Sequence, residues 1–362
     1  MNRLATIYRQ KSLASSGEET YDINVRDPIT AFYVEFRNTN GASYNRGTHI
    51  ADDVDEIQVI DGSDVLFNMT GEELFAYNHY LGYKSPAHLF SEWPGLQQQM
   101  GCWIPFGRFR NDPIYGLDPT RFSNLQFRIK WSFSEAATAW AASSLKLSLF
   151  ADVMMGVPAP SAFIMAKEIK SWTTSGSGDE RTELPHDYPY LGVLVQARKA
   201  ATAPDSVLTD LKFTLDTDRL ILLNNDLTDL LKLVNLWYGP LIYHHNLHAT
   251  DATTIYLVTK KDEVVEFVAQ DRDDTVFRYA DGGAGEGTLS VDTAGSAQTS
   301  ATNIMALVRG FQPYAVLYWP FGRHAEPQEW LSVEQFSRFE LVATQGSASG
   351  EARVCVVQAR AY

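Results

Sequence analysis

The 362-residue sequence predicts an all-β protein: two tandem jelly rolls of the eight-stranded type, produced by internal duplication, each with one short helix. Three observations predict it. Landmarks of the first half recur, in order, in the second. Short alternating segments are separated by turn signals such as NTNG, DGS and DP. Aromatic residues make up 12% of the chain, with 17 Tyr and 19 Phe, which suits sheets better than helical bundles.

The repeat can be followed element by element. Gly17-Glu18-Glu19 recurs as Gly178-Asp179-Glu180, a shift of 161, which also carries Pro28-Ile29 onto Pro189-Tyr190 and Arg37 onto Arg198. Between these anchors lie two matched strands, ITAFYVEFR from Ile29 and YLGVLVQAR from Tyr190. Residues 5–13 match 164–172 as the first strand of each copy. Asp61-Gly62 falls on Asp216-Thr217, both read as strand-connecting turns. ELFAYNHYLG (73–82) matches LLKLVNLWYG (230–239) at a shift of 157. Each reads as an amphipathic helix, capped near Thr70 or Thr228 and stopped at Gly82 or Gly239. The sharpest match is IPFGR (104–108) against WPFGR (319–323), setting Pro105, Phe106, Gly107 and Arg108 over Pro320, Phe321, Gly322 and Arg323. A hairpin is expected to close each copy: LQFRIKW (125–131) with LKLSLFADV (145–153), and FELVATQ (339–345) with ARVCVVQARAY (352–362).

These matches set the first unit at 1–155 and the second at 163–362, joined by the proline-bearing connector GVPAPSA at 156–162. So short a connector makes the units pack side by side. The copies differ mainly before the PFGR motif, where copy one has 22 residues (83–104) and copy two has 80 (240–319). The excess reads as a raised surface insertion with an added hairpin, TTIYLVTKK (253–261) against EVVEFVAQD (263–271), and a polar glycine-rich run at 279–302.

A net charge of −14 makes the body of the chain a poor partner for nucleic acid. The cationic exception is Arg3, Arg9 and Lys11, ahead of the first acid at Glu18. Cys102 and Cys355 sit in apolar strand-like settings and read as buried free thiols. MNRLATIYRQK lacks the apolar core of a signal peptide, and no stretch suits a membrane span, so a soluble chain made in a cytoplasm is expected.

Two such consecutive units, with the passage DEIQVIDGSDVLFNMTGEELFAYNHY at 55–80, resemble the double jelly-roll major capsid proteins of tailless icosahedral phages with an internal membrane, the tectivirus, corticovirus and finnlakevirus group. The resemblance implies a homotrimer of six jelly rolls in a pseudo-hexagonal capsomer of the virion shell, made in the host cytoplasm, with the insertion as an outward tower. Its implied partners are neighbouring capsomers, vertex (penton) and minor capsid proteins, and the internal membrane. Arg3, Arg9 and Lys11 would face that membrane, at about 1 kcal/mol per basic residue near an anionic surface.

Enzymatic and binding alternatives rest on fewer residues. His244, His245 and His248 in YHHNLHATD, near Asp251, could ligate a metal in a bicupin-like or two-domain sandwich enzyme. Their HH-x-x-H spacing lacks the HxH pair and later carboxylate of such a centre, so surface-loop histidines are preferred, with no catalytic residue and no cofactor. The acids Asp52, Asp53, Asp55 and Glu56, and Asp271, Asp273 and Asp274, could hold structural calcium; lacking an EF-hand pattern, they read as solvated loop acids. Trp93, Trp103 and Trp172, if exposed at loop tips, would suit a sugar-binding receptor-recognition spike. PFGR reads as structural, with Arg108 or Arg323 pairing an acid at a subunit contact.

Overall fold

Leu125–Ser132 buries every second residue, as a strand with one dry face must. The computed structural model describes residues 2–46, 48–83, 88–249, 253–270, 276–282, 287–291 and 302–362, and in it such strands build two sandwiches side by side. The first contains β1 (Asn2–Ser12), β2 (Ser16–Asp22), β3 (Ile29–Thr39), β4 (Glu56–Asp61), β5 (Asp64–Met69), α1 (Gly71–Tyr80), β6 (Phe90–Ser91), β7 (Gln97–Pro105), β8 (Leu125–Ser132) and β9 (Lys146–Met154). The second opens with β10 (Ala162–Thr173), β11 (Asp179–Leu184), β12 (Tyr190–Arg198), the single turn α2 (Pro204–Val207), β13 (Leu208–Leu215), β14 (Leu220–Asp226) and α3 (Leu227–Tyr238). The insertion supplies β15 (Leu241–Ala249), β16 (Thr253–Tyr256), β17 (Thr259–Gln270), β18 (Val276–Gly282), β19 (Thr288–Val291) and β20 (Thr302–Pro313). The chain closes with β21 (Val316–Pro320), β22 (Phe339–Gln345) and β23 (Glu351–Ala361).

In the first unit the sheet β1-β9-β3-β7 lies over β2-β8-β4-β5; Phe32 of β3 meets Phe127 of β8 with ring centroids 6.2 Å apart. The second repeats the order as β10-β23-β12-β21 over β11-β22-β13-β14, with Tyr190 of β12 against Phe339 of β22 at 5.0 Å. Even the bulges recur. β3 slips register between Ile29 and Ala31 and β12 between Tyr190 and Gly192; β1 slips between Thr6 and Tyr8 and β10 between Glu168 and Lys170. These registers make Leu4 the counterpart of Ala166 and Ala5 that of Lys167, a shift of 162 where the sequence match set 159.

The expected closing hairpins do not form. β8 pairs with β2 and β4, whereas β9 pairs with β1 and β3 in the opposite sheet. β22 and β23 are divided in the same way. Alternation reveals a strand's buried face but not its hydrogen-bonded neighbour, and each connection here crosses the sandwich. In the insertion, Thr259–Gln270 is one bulged strand between β18 and β20, and β16 pairs with β19. No turn separates 261 from 263, so the expected hairpin is absent. The larger insertion sheet runs β18-β17-β20-β15-β6 and thereby takes in two residues of the first unit.

The helices differ from expectation in instructive ways. Thr70 caps α1 in a reciprocal box with Glu73, but α1 is not amphipathic: every residue except His79 is buried. α3 is capped by Asp226, which accepts from the Thr228 amide at 2.7 Å, so Thr228 is not its cap. Gly239 ends it with φ 72°.

Candidate assembly interface

The two sandwiches are sutured into a continuous sheet. β5 pairs in parallel with β10, Phe67 opposite Ala166 and Asn68 opposite Lys167, giving the order β2-β8-β4-β5-β10-β23-β12-β21. α1 lies on this joint. Its Tyr80 hydroxyl donates to the Val316 carbonyl at 2.6 Å, and Tyr77 and Tyr80 stack near Tyr318 at 6.1 and 5.9 Å.

Charge is arranged across the joint with acids on the first unit and bases on the second. Arg198 of β12 bonds Glu72 of α1 and lies 3.1 Å from Asp52, while Arg360 reaches Asp64 at 2.7 Å. The Gln196 amide donates to Glu72 at 2.6 Å. Burial drives the Glu72 carboxyl upward, and neighbouring Asp52 adds to this against the pull of Arg198. Burial would raise Asp52 also, but His49 and Arg198 hold it low. A buried, hydrogen-bonded charge set of this kind fixes orientation more than it adds stability.

The PFGR motifs hold two loops in matching shapes. Arg108 bonds Asp112 through Nε at 2.6 Å and a second nitrogen at 2.9 Å; Arg323 bonds Glu329 through Nε at 2.9 Å. Each glycine sits where backbone passes close: a Cβ on Gly107 would lie 2.9 Å from the Tyr115 carbonyl oxygen, and one on Gly322 2.5 Å from that of Glu329. Within the chain, each arginine therefore pairs with an acid of its own loop. Arg108 alone also reaches across the joint, to the Ala325 carbonyl at 3.3 Å.

α3, the counterpart of α1, is covered on fewer sides. α3 buries Leu227, Leu230, Leu231 and Val234 but leaves Leu233, Leu236 and Trp237 exposed. Tyr80 is 5% exposed, whereas Trp237, which matches it at the helix spacing, is 49% exposed. Leu236 reaches 79%. Between Trp237 and the end of α1 lies a cleft of about 590 Å³ lined by Tyr80, Leu81, Trp237, Tyr238, Tyr318 and Arg323.

Neither a family model nor a curated protein matches the sequence. Among solved structures, the major capsid protein of bacteriophage PM2 superposes over 100% of this chain and 97% of its own, with TM-score 0.54 and 11% identity. The fold is the double jelly roll of viral major capsid proteins. The STIV major capsid protein aligns at TM-score 0.62 and 10% identity over 100% of this chain and 97% of that one. The PBCV-1 virus capsid aligns at 0.61 and 10%, over 99% and 93%. At such identities the likeness is one of fold.

Within this double jelly roll the histidine triplet is not a surface loop. His244 and His245 are consecutive on β15, so alternation turns His244 to solvent and buries His245 against Phe90, Tyr243 and His49. The His248 side chain and Asp251 lie outside the described residues, as do Asp271, Asp273 and Asp274. Among the described residues no three His, Cys, Asp or Glu side chains converge as a metal site would require. Asp52 and Asp53 are not solvated: Asp53 accepts from the Trp140 indole and burial pushes its pKa up to about 7. Trp103 and Trp172 are half-buried on strands, and Trp93 donates to the Leu247 carbonyl at 2.8 Å, so none stands at an exposed loop tip. Arg3 and Arg9 are exposed on β1, while Lys11 is tied to Glu19. Cys102 and Cys355 are buried and unbridged. The signal that singles out α3 was present in the sequence: its helix carries apolar residues beyond one stripe, more than its own sandwich can cover.

Proposed function

We propose that the chain is the structural subunit of a viral capsid, trimerising head to tail into a pseudo-hexagonal capsomer that tiles an icosahedral shell. One observation carries the reading. The first unit's helix is covered on all sides because the second unit lies against it, and the second unit's matching helix presents bare Leu233, Leu236 and Trp237. An apolar face of this kind marks a protein contact. The contact is heterologous, so copies must close a ring or form a filament. If joints within and between chains each turn by one sixth of a circle, six units close a ring with three chains. The whole-length likeness to three capsid proteins supports the same reading.

The experiment is native mass measurement of the purified chain, followed by electron microscopy. A three-chain species and hexagonal tiles are expected. A chain that stays monomeric at micromolar concentration would overturn the proposal, because obligate contacts of roughly 2,000 Å² or more do not dissociate there.

A further inference from the structure

We infer that the joint inside the chain is repeated between chains, with β1 of one copy adding as a parallel strand to β14 of the next. This rests on the assembly reading above and deepens it by naming the strands and their register; the partner is a second copy of this chain.

The internal suture uses β5 and β10 and leaves two outer edges, β1 and β14, each at the end of its sheet. Those edges are the counterparts of the sutured strands. β14 matches β5 through equivalent registers and an equivalent slip: Val59 pairs with Phe67 before it, and Phe213 with Leu223. Asn224 thereby takes the place of Asn68. Burial shows what is missing at the outer edges. Ala166 on the sutured β10 is 1% exposed, whereas Leu4, its counterpart on β1, is 52% exposed. Val65 and Asn68 are half-buried on β5, whereas their counterparts Ile221 and Asn224 stand exposed on β14.

An unpaired strand edge flanked by apolar side chains invites another strand, and charge selects which one. β1 carries Arg3 and Arg9; the β14–α3 corner carries Asp226 and Asp229. Arg37 holds the position of Arg198, and Asp229 matches Glu72 at the helix spacing, so the ion pair of the internal joint has both counterparts. In the single chain each holds a near neighbour instead, Glu35 at 2.7 Å and Lys232 at 3.0 Å. Carrying the internal register across sets Leu4 opposite Leu223 and Ala5 opposite Asn224 of the next copy.

The test is the double variant Ala5→Cys, Asn224→Cys in the full chain, whose own two cysteines are buried. Mild oxidation of the assembled protein is expected to link copies into covalent two- and three-chain species on a non-reducing gel, and either single variant is expected to stay unlinked. A charge swap gives a second readout: Arg37→Glu or Asp229→Arg alone should weaken assembly at least tenfold, and the two together should restore it. Trimers that neither cross-link nor respond to the swap overturn the strand pairing and leave the assembly reading intact; monomeric parent protein overturns the assembly reading itself. Flotation of the chain with phosphatidylglycerol vesicles through Arg3 and Arg9, without cross-linking, would assign β1 to lipid and also overturn the pairing.

Discussion

Asp53 and His49, four residues apart, respond to pH in opposite senses. Burial raises Asp53 to about 7, with Asp52 and Asp55 adding to the rise and the Trp140 indole opposing it. Its ordinary value is near 3.9, so between about pH 4 and 7 the folded chain keeps a proton that the unfolded chain has lost. That contribution is fully present below pH 4 and disappears as pH rises to about 7. His49 is buried beside His245, and burial lowers its pKa to about 4, against the pull of Asp52. Its contribution is present above about pH 6.5 and is lost as pH falls through about 4. Asp53→Asn, which keeps an acceptor for Trp140, isolates the first slope. Its Tm should gain on that of the parent as pH is raised from 4 to 7, measured by calorimetry. A Tm difference that does not vary with pH would show Asp53 ionised throughout.

At the level of elements, α1 and α3 occupy the same place in two copies, yet their substitutions should behave differently. Leu74→Ala removes a fully buried side chain of α1 and should cost about 2–5 kcal/mol of folding stability by denaturant titration. Leu236→Asp changes the most exposed large apolar residue of α3 and should leave the isolated chain's stability within about 0.5 kcal/mol while abolishing the proposed trimer. The duplication was legible because strand anchors, turns and helix-ending glycines kept their order. The pairing of β8 and β9 was not, since strands adjacent in sequence had crossed to opposite sheets. Nor was the role of Arg198. As a repeat anchor it could be read, but its partners Asp52 and Glu72 are brought to it only by packing. The Asp226 cap competed with Thr228 two residues further on, and a carboxylate just ahead of the first turn has the better reach to its amides.

For the whole molecule, the suture matters more than the count of units. An eight-stranded sheet shared between both sandwiches, with ion pairs and tyrosines across the joint, couples their unfolding. Thermal unfolding of the chain should therefore show one transition, not two, and its midpoint should rise with protein concentration once copies associate. Two transitions, each assignable to one half by limited proteolysis, would show that the joint is weak. The insertion sheet belongs to this unit as well, because β6 and the Trp93 indole bind it to the first sandwich.

The connector between Met154 and Ala162 has a kinetic consequence. Covalent linkage holds the halves at high effective concentration, so in the proposed three-chain ring half of the joints form without any diffusional encounter. Only the joints between copies depend on how much protein has accumulated. In the proposed assembly each contact on β1, β14 and α3 can then be weaker alone than the closed ring is as a whole, so a misplaced copy can be released before the ring closes.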